Sequence, residues 1–371
     1  MDFDFSDDQK FLQTEARKFL EGRCPVSVVR KVLNDPAKTH DADLWNAVAE
    51  QGWLGAAIPE AHGGLGLGRL ELCVIAEELG RSLAPIPFAS TVYFVAEAIM
   101  MAGSEAQKAQ WLPKIASGDV IGCFATVERP GPLTDAQISA SVNGGKLSGA
   151  KLPVTDGDIA TLAVVLAKEA GRMGLYLVDL TAGGVTRENV STIDPTRSVA
   201  KLTFSGANAD RLGDAGEGMA LADAVLNRAA VLLAFEQVGG ADRALELARD
   251  YALERYAFGR PIGSYQAIKH KLADAYIKNQ LARSNAYYGA WALDVDAPEL
   301  PVAAAAARVS ACEAYWYASK ESIQTHGGMG FTWEVDCHLY YRRAHQLGLV
   351  AGGAKAWKER LVTQLERRNA A

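Results

Sequence analysis

The chain has 371 residues, 49% apolar and 22% charged, an ordinary globular composition with room for two or three domains. Its 38 basic and 44 acidic residues leave a net charge of -6, which excludes a nucleic-acid binder held by phosphate contacts across a basic face. No run approaches the ~20 consecutive apolar residues of a membrane span, the acidic stretch Met1 to Asp8 lacks the apolar region of a secretory signal, and five scattered cysteines without a Cys-x-x-Cys pair point to a reducing cytoplasm rather than a disulfide framework.

The first third reads as helical. Ser6 and Gln9 have capping-box spacing, and Phe11, Leu12, Ala16, Phe19 and Leu20 fall on one helical face behind them. A second helix is expected from about Asp43 to Gln51, stopped by Gly52. Residues 58–68 are rich in glycine and read as loop, helical pattern resumes over 70–79, and Ser104 with Gln107 caps another helix ending at Pro113. Near Asp119 the period changes to alternation. Ile138 to Val142 and Lys146 to Leu152 flank Asn143-Gly144, a hairpin signal, and Leu162–Leu166, Leu175–Leu180 and Ala200–Phe204 are further strands. From Glu217 the helical period returns in four long segments, about 217–253, 265–294, 301–326 and 336–367, joined by short loops as in an up-and-down bundle. The expected architecture is α+β with three parts: a helical N-terminal domain (1–118), a central β-barrel-like domain (119–213) and a C-terminal four-helix bundle (214–371).

Several familiar signals are absent or weak. Gly63 to Gly68 has the glycines of a phosphate loop, but no buried strand precedes it and no acidic ribose partner follows, so a flexible structural loop is expected. None of the six histidines has ligand spacing, so no metal site is expected. There is no Gly-x-Ser-x-Gly elbow for a serine hydrolase.

Two segments carry chemistry. Arg255-Tyr256-Ala257-Phe258-Gly259-Arg260-Pro261 sits at a helix–loop–helix junction, where Arg255 offers a forked donor for phosphate oxygens. Gln324-Thr325-His326-Gly327-Gly328-Met329-Gly330 ends a helix in glycines whose amides can hydrogen-bond a diphosphate; the plainer reading is a helix C-cap before a packed aromatic turn. Together, in an α–β–α chain, these resemble the Arg-x-x-Phe-Gly and Gln-x-x-Gly-Gly-x-Gly patterns of the acyl-CoA dehydrogenase family, over essentially the whole chain. The resemblance implies a flavoprotein binding FAD, with Arg255, Phe258, Gln266, Gln324, Gly327 and Gly328 at the pyrophosphate and adenine portion, in part from a neighbouring subunit. It further implies that Thr126 and Val127, in Cys123 to Glu128, face the flavin ring. Val154 and Thr155 would do so from Gly149 to Gly157, with the Thr155 hydroxyl near flavin N5. Pro153 stands where that family has Trp, and Pro130 to Asp135 replaces its Ala-Gly-Ser-Asp loop.

The family's α,β-dehydrogenation needs a carboxylate to take the α-proton of the thioester while the β-hydrogen leaves as hydride. The positions that match its two alternative bases are Ala351 and Ala229, and neither carries a carboxylate. The Arg that accompanies the second site would be Ala230, with Arg228 two residues away as a substrate-binding candidate. Glu236, one helical repeat on, either faces the pocket or is an exposed or salt-bridged helix carboxylate. No catalytic residue is assigned. Glycines 352 and 353 lend freedom around 351, so a carboxylate at 229 is expected to be the better held.

Phe331 to Ala344 resembles a branch of the family linked to bulky, steroid-type acyl-CoAs, which includes heteromers whose partner subunit lacks the base. The face of His338, Tyr341, Arg342 and His345 either faces substrate or lies at an interface, and the interface is the expectation. The expected protein is an FAD-dependent oxidoreductase of lipid metabolism, a homo- or hetero-tetramer passing electrons to an electron-transfer flavoprotein or similar acceptor. Alternatives are a base-less FAD-binding partner subunit, a non-enzymatic flavin or CoA-ester scaffold, and a flavin monooxygenase or oxidase on the same fold.

Overall fold

The computed structural model describes residues 5–129, 131 and 133–370. The stretch Met1 to Asp4 and prolines 130 and 132, read above in the N-terminal and loop arguments, lie outside the described residues. The chain divides into two compact units, one of Met1–Val29, Leu70–Ala84 and Ala230–Ala371, the other of Arg30–Arg69 and Pro85–Ala229.

In chain order the helices are α1 (Asp7–Arg23), α2 (Val26–Leu33), α3 (Ala42–Glu50), α4 (Arg69–Arg81), α5 (Glu97–Ala102) and α6 (Glu105–Ala116). Both expected capping boxes form, Ser6 with Gln9 and Ser104 with Gln107, each side chain receiving the other residue's amide. The α6 helix runs three residues past Pro113 instead of ending there. That proline falls in its last turns, and the amide of Ser117 closes the end on the Pro113 carbonyl at 3.0 Å. Two helical stretches escape sequence reading: α2, and a wide-turned segment Ala89–Ala96 that leads into α5. Ala89–Ala96 is buried at every position, so it shows no amphipathic period. The glycine-rich 58–68 loop holds a single turn at Glu60–His62, and its main chain is pinned by bonds from Gly64 to Pro59, Leu65 to Gly55, Gly66 to Ile58 and Leu67 to Ala56. Those amides are spent on the fold, not left open for phosphate.

Eight strands form one mixed sheet: β1 (Gly122–Ala125), β2 (Ser141–Asn143), β3 (Lys146–Thr155), β4 (Leu162–Glu169), β5 (Arg172–Asp179), β6 (Val185–Asn189), β7 (Val199–Asn208) and β8 (Asp210–Leu212). The order is β6-β7-β3-β2-β4-β5-β8, with β1 added parallel to β4. Alternate residues of these strands make the core: Ala163, Val165 and Ala167 of β4 meet Tyr176 and Val178 of β5, Leu147 and Val154 of β3, and Leu202 and Phe204 of β7. The expected strands are present, but the first hairpin limb is Ser141–Asn143 instead of Ile138–Val142, and Asn143 pairs with Lys146, so Gly144 and Gly145 make the turn expected at Asn143-Gly144. The β3 strand contains a cis peptide bond between Leu152 and Pro153.

The C-terminal helical domain comprises α7 (Gly218–Glu254), α8 (Gln266–Asp294), α9 (Leu300–His326), α10 (Cys337–Leu349) and α11 (Ala354–Ala370). The last expected long helix is two, because Ala351 and Gly352 turn left-handed at φ 61° and 96° and break it. In their own unit, α4 and α7 cross backbone to backbone. A Cβ on Gly80 would stand 1.8 Å from the Glu236 carbonyl, and one on Gly239 would stand 1.9 Å from that of Glu77, so only glycine permits the approach. Part of α7 is long and apolar enough to cross a membrane, yet 72% of that window is buried inside the protein, as in a core helix.

Candidate active site

The residues implied for the cofactor fall in both units. In the β-sheet unit, β1 delivers Thr126 and Val127 beside β3: the Leu152 amide donates to the Val127 carbonyl at 2.9 Å and Lys151 Nζ lies 3.5 Å from the Thr126 carbonyl. Val154 packs its side chain in the sheet core and its carbonyl accepts from the Gly157 amide at 3.3 Å, whereas Thr155 is partly exposed. A buried ion pair that sequence reading missed fixes this corner. Lys151, fully buried, donates to Glu128 at 2.8 Å, and Glu128 also accepts from the amides of Ser139 and Ala140 at 2.8 and 2.9 Å and from the Ser139 hydroxyl. Burial works to raise the Glu128 pKa, but these donors outweigh it and hold the carboxyl at about 2. Glu128 is therefore a fixed anion, not a base.

In the other unit, Arg255 follows the last residue of α7 and opens a hairpin of Tyr256–Ala257 against Arg260–Pro261. Its two turn residues, Phe258 and Gly259, both take positive φ, 52° and 80°. That is the type I′ geometry which suits glycine and strains phenylalanine. Phe258 is 97% exposed. Tyr265, just before Gln266 at the start of α8, braces the hairpin: its hydroxyl donates to the Ala257 carbonyl at 2.9 Å and its ring lies 4.1 Å from the Arg260 guanidinium. At the far end of α9, His326 stacks on Tyr251 of α7 at 4.3 Å and Tyr251 reaches Met329 Sδ at 3.7 Å. The ends of α7 and α9 are thereby brought together, with Gln324, Gly327 and Gly328 exposed beside them. A Cβ on Gly327 or Gly328 would meet no other group within 4 Å. Arg255, Gln266 and Gln324 are likewise exposed and make no side-chain bond to another described residue. The Gly327 amide caps α9 by donating to the Gln324 carbonyl, so one guanidinium and two side-chain amides form the uncommitted donor set, whose chemistry fits an anionic dinucleotide such as FAD.

At the base positions the structure is specific. Ala229 is fully buried on α7. Ala351 sits in the turn between α10 and α11, which two buried side chains hold: Arg308 Nη2 donates to the carbonyls of Leu347 and Val350, the latter at 2.7 Å, and Trp357 Nε1 donates to that of Ala351 at 3.0 Å. Arg308 also donates to Gln237. No spacing in the sequence announces this brace, since its members lie 39 and 42 residues apart. Arg228 lies 3.3 Å from Glu97, which Arg69 grips at 2.7 Å, so its charge serves a buried cluster. Of the two readings of Glu236, the structure supports the paired one: it is buried 3.9 Å from Arg343. The other buried carboxylates among the described residues are also engaged, Glu77 by Arg283, Glu78 by Arg17, Glu321 by Lys271, Asp156 by Ser90 and Asp194 by Thr196. Burial raises the pKa of Glu77, against the pull of Arg283, and that of Asp156, against Arg197. Both belong to ion-pair scaffolding of a kind that shifts pKa values without catalysis.

The α10 face expected at an interface is a partly buried cluster of its own. His338 stacks on Trp333 at 5.0 Å and accepts from Arg342 Nε at 3.3 Å, while Tyr341 meets His345 edge-on at 4.5 Å.

Family models of the acyl-CoA dehydrogenase N-terminal and C-terminal domains match residues 6–119 and 216–364. The chain is 34% identical over 340 residues to the acyl-CoA dehydrogenase IpdE2 of Mycobacterium tuberculosis, covering 91% of this chain and 90% of that one. Among solved structures it is similar to a variant of the Tcur3481–Tcur3483 steroid ACAD, with TM-score 0.89 and 32% identity over 98% of this chain and 99% of that one. It is also similar to a chain of the ChsE4–ChsE5 complex from Mycobacterium tuberculosis, with TM-score 0.89 and 28% identity over 99% of both.

Proposed function

The chain belongs to the acyl-CoA dehydrogenase family, whose members are FAD-dependent oxidoreductases of acyl-CoA thioesters, and we propose that within it this chain is the base-less, FAD-binding subunit of a heteromer acting on a bulky, steroid-type acyl-CoA. The observation that carries the proposal is the state of its carboxylates. Positions 351 and 229 hold alanine, and the buried carboxylates among the described residues are tied into ion pairs or hydrogen bonds of the scaffold. Without a base beside the α-carbon, α-proton removal has no acceptor at either of the family's two positions or among the buried carboxylates of the described residues. The similarity to a subunit of the ChsE4–ChsE5 complex and to a steroid ACAD supports both the heteromer and the substrate class.

In this reading Arg255, Gln266 and Gln324, beside Gly327 and Gly328, face the diphosphate and adenine portion of a cofactor, in part that of a neighbouring subunit, and Thr126, Val127, Val154 and Thr155 face a flavin ring. FAD, when bound, supplies the hydride acceptor. The chain orients it and excludes water, and the partner subunit contributes the carboxylate. Electrons leave to an electron-transfer flavoprotein or similar acceptor. The five cysteines, all free and buried, support a cytoplasmic setting.

Anaerobic titration with acyl-CoA tests this. The purified yellow chain alone is expected to stay oxidised, and to bleach once a base-bearing subunit is added. Bleaching of the lone chain that Glu236→Gln abolishes would make Glu236 the base and end the proposal. A colourless protein would favour a scaffold, and rapid oxygen uptake an oxidase.

Two further outcomes are expected. Arg255→Ala should weaken FAD retention by about ten- to a hundred-fold, from loss of a charge-assisted contact to the diphosphate. Equal flavin content in wild type and variant after gel filtration counts against it. The protein should also assemble into at least a dimer, and we place it as a tetramer. Tyr276, Ile277 and Leu281 of α8 and Trp316 of α9 are large, exposed and apolar, and Phe258 and Phe331 are more so. Light scattering should then exceed the 39.6 kDa of one chain. A flavin-loaded monomer is the contrary result.

A further inference from the structure

The β-sheet unit holds a fully buried acid that the proposed reaction does not use, one residue after Thr155. Asp156 follows the last residue of β3 and turns left-handed at φ 56°, a conformation that aspartate tolerates better than most residues. Its Oδ2 accepts from the Ser90 hydroxyl at 2.6 Å and lies 3.9 Å from the Arg197 guanidinium. Its main chain is engaged as well: the amide donates to the Ser198 carbonyl at 2.9 Å, and the carbonyl accepts from the amides of Ile159 and Ala160 at 3.3 and 3.0 Å. Ser90, Asp156, Arg197 and Ser198 all belong to this one unit.

Strand register explains why the end of β3 needs an anchor. The β3–β7 ladder runs as far as Lys151 opposite Leu202, slips, and resumes only with Val154 opposite Ala200 and Thr155 opposite Val199. Thr155 therefore stands on a short stub of ladder beyond an irregularity. The turn after it is tight, with the Gly157 amide donating to the Val154 carbonyl at 3.3 Å. Ser90 gives this stub a fixed reference. It lies on the wide-turned helix of Ala89–Ala96, which is buried at every position, and the neighbouring Thr91 hydroxyl accepts from the Gly122 amide at 3.0 Å at the start of β1. On the other flank of Gly157, Asp158 accepts from the Ser198 hydroxyl. Thr155 itself is partly exposed, and its hydroxyl makes no bond to another described residue. A buried carboxylate on a left-handed residue is costly, and features of this kind collect where a fold must fix a functional group.

We propose that Asp156 is a positioning residue for the flavin: by gripping Ser90 and pairing with Arg197 it fixes the end of β3, and with it the place from which the Thr155 hydroxyl meets the ring. This rests on the reading that Thr155 faces the ring. Asp156 acts only through Thr155. An asparagine in its place keeps the acceptor for Ser90 and the tolerance of a left-handed turn, but not the charge opposite Arg197. An alanine keeps none of the three.

The test is the reduction potential of the flavin in the FAD-loaded protein, read by equilibration against a redox dye. Wild type is compared with Thr155→Val, Asp156→Ala, Asp156→Asn and the Thr155→Val, Asp156→Ala double variant. Thr155→Val is expected to change the ratio of oxidised to reduced flavin at a fixed potential by about two- to tenfold, the size of one hydrogen bond. Asp156→Ala should change it in the same direction and Asp156→Asn by less. The double variant should go no further than Thr155→Val, because the two residues act in one chain. The visible spectrum of the flavin should follow the same order. Ser90→Ala releases the grip from the other side, and it takes the place of Asp156→Ala in the cycle if that variant does not retain FAD. Additive shifts in the double variant, or a wild-type ratio in both Asp156→Ala and Ser90→Ala, overturn the proposal and leave the reading of Thr155 standing. A wild-type ratio in Thr155→Val ends both, because it removes Thr155 from the ring. No turnover is read, so the outcome does not depend on whether the chain carries a base.

Discussion

Ala351→Glu is expected to raise the acyl-CoA dehydrogenase activity of the FAD-loaded chain by about 10²- to 10⁴-fold over the wild-type chain alone, the range of general-base catalysis. The sequence pattern favours Ala229 as the better-held position, because glycines 352 and 353 follow 351. The structure reverses that order. Arg308 holds the Leu347 and Val350 carbonyls and Trp357 holds that of Ala351, so the turn is braced despite its glycines. Ala351 already takes φ 61°, so the backbone needs no change to accept another residue, and the position is partly exposed. Ala229 is fully buried, and a carboxylate there brings both overpacking and an unpaired buried charge, each worth several kcal/mol against folding. Ala351→Gln has the same shape without the proton acceptor and should show no gain. Anaerobic bleaching and steady-state dye reduction read the effect. A folded, yellow Ala351→Glu that is no faster than Ala351→Gln would show that the missing carboxylate is not what silences the lone chain.

The parts that were legible in the sequence share a physical character. Capping boxes are local, so Ser6 with Gln9 and Ser104 with Gln107 could be read from four residues each. The β4–β5 pair showed as two apolar runs around Gly171 because its strands are buried over most of their length. The helix of 89–102 could not be read, because burial on all sides removes the period that marks a helix. The break at 350–353 could have been, since Gly352-Gly353 lies in the middle of the expected last helix. The cofactor motifs were visible as sequence patterns, yet the groups that hold the site's shape were not. Arg308 braces a turn some 40 residues away, and Glu128 meets Lys151 across 23 residues and two strands. Long-range pairs of this sort leave no spacing to find.

Glu128→Gln is expected to cost about 3–5 kcal/mol of stability, the usual consequence of removing one partner from a buried ion pair. Lys151 is fully buried, so its ammonium would be left in the sheet without a counter-charge. The amides of Ser139 and Ala140 would keep an acceptor only in the glutamine's single carbonyl oxygen. The pH response gives the sign. In wild type the Glu128 carboxyl titrates at about 2, below the roughly 4.3 of an unfolded chain. Its contribution is therefore present above about 4.3 and is lost as the pH falls from there through about 2. In Glu128→Gln that acid-labile contribution is gone, and a second one, already present in wild type, grows. Burial lowers the Lys151 pKa, and Glu128 is the group that opposes it. Without Glu128 the folded state sheds the lysine proton before the unfolded chain does, so the unfolded state binds more protons and stability rises with pH toward about 10. Lys151→Met in the Glu128→Gln background removes the stranded charge and should recover much of the loss, whereas Lys151→Met alone strands the carboxylate instead. Urea unfolding of the four proteins between about pH 4 and 9, followed by circular dichroism, measures all of this. Equal stability of wild type and Glu128→Gln, or a deficit that does not shrink as the pH rises above about 6, would show that the pair does not hold this corner of the sheet.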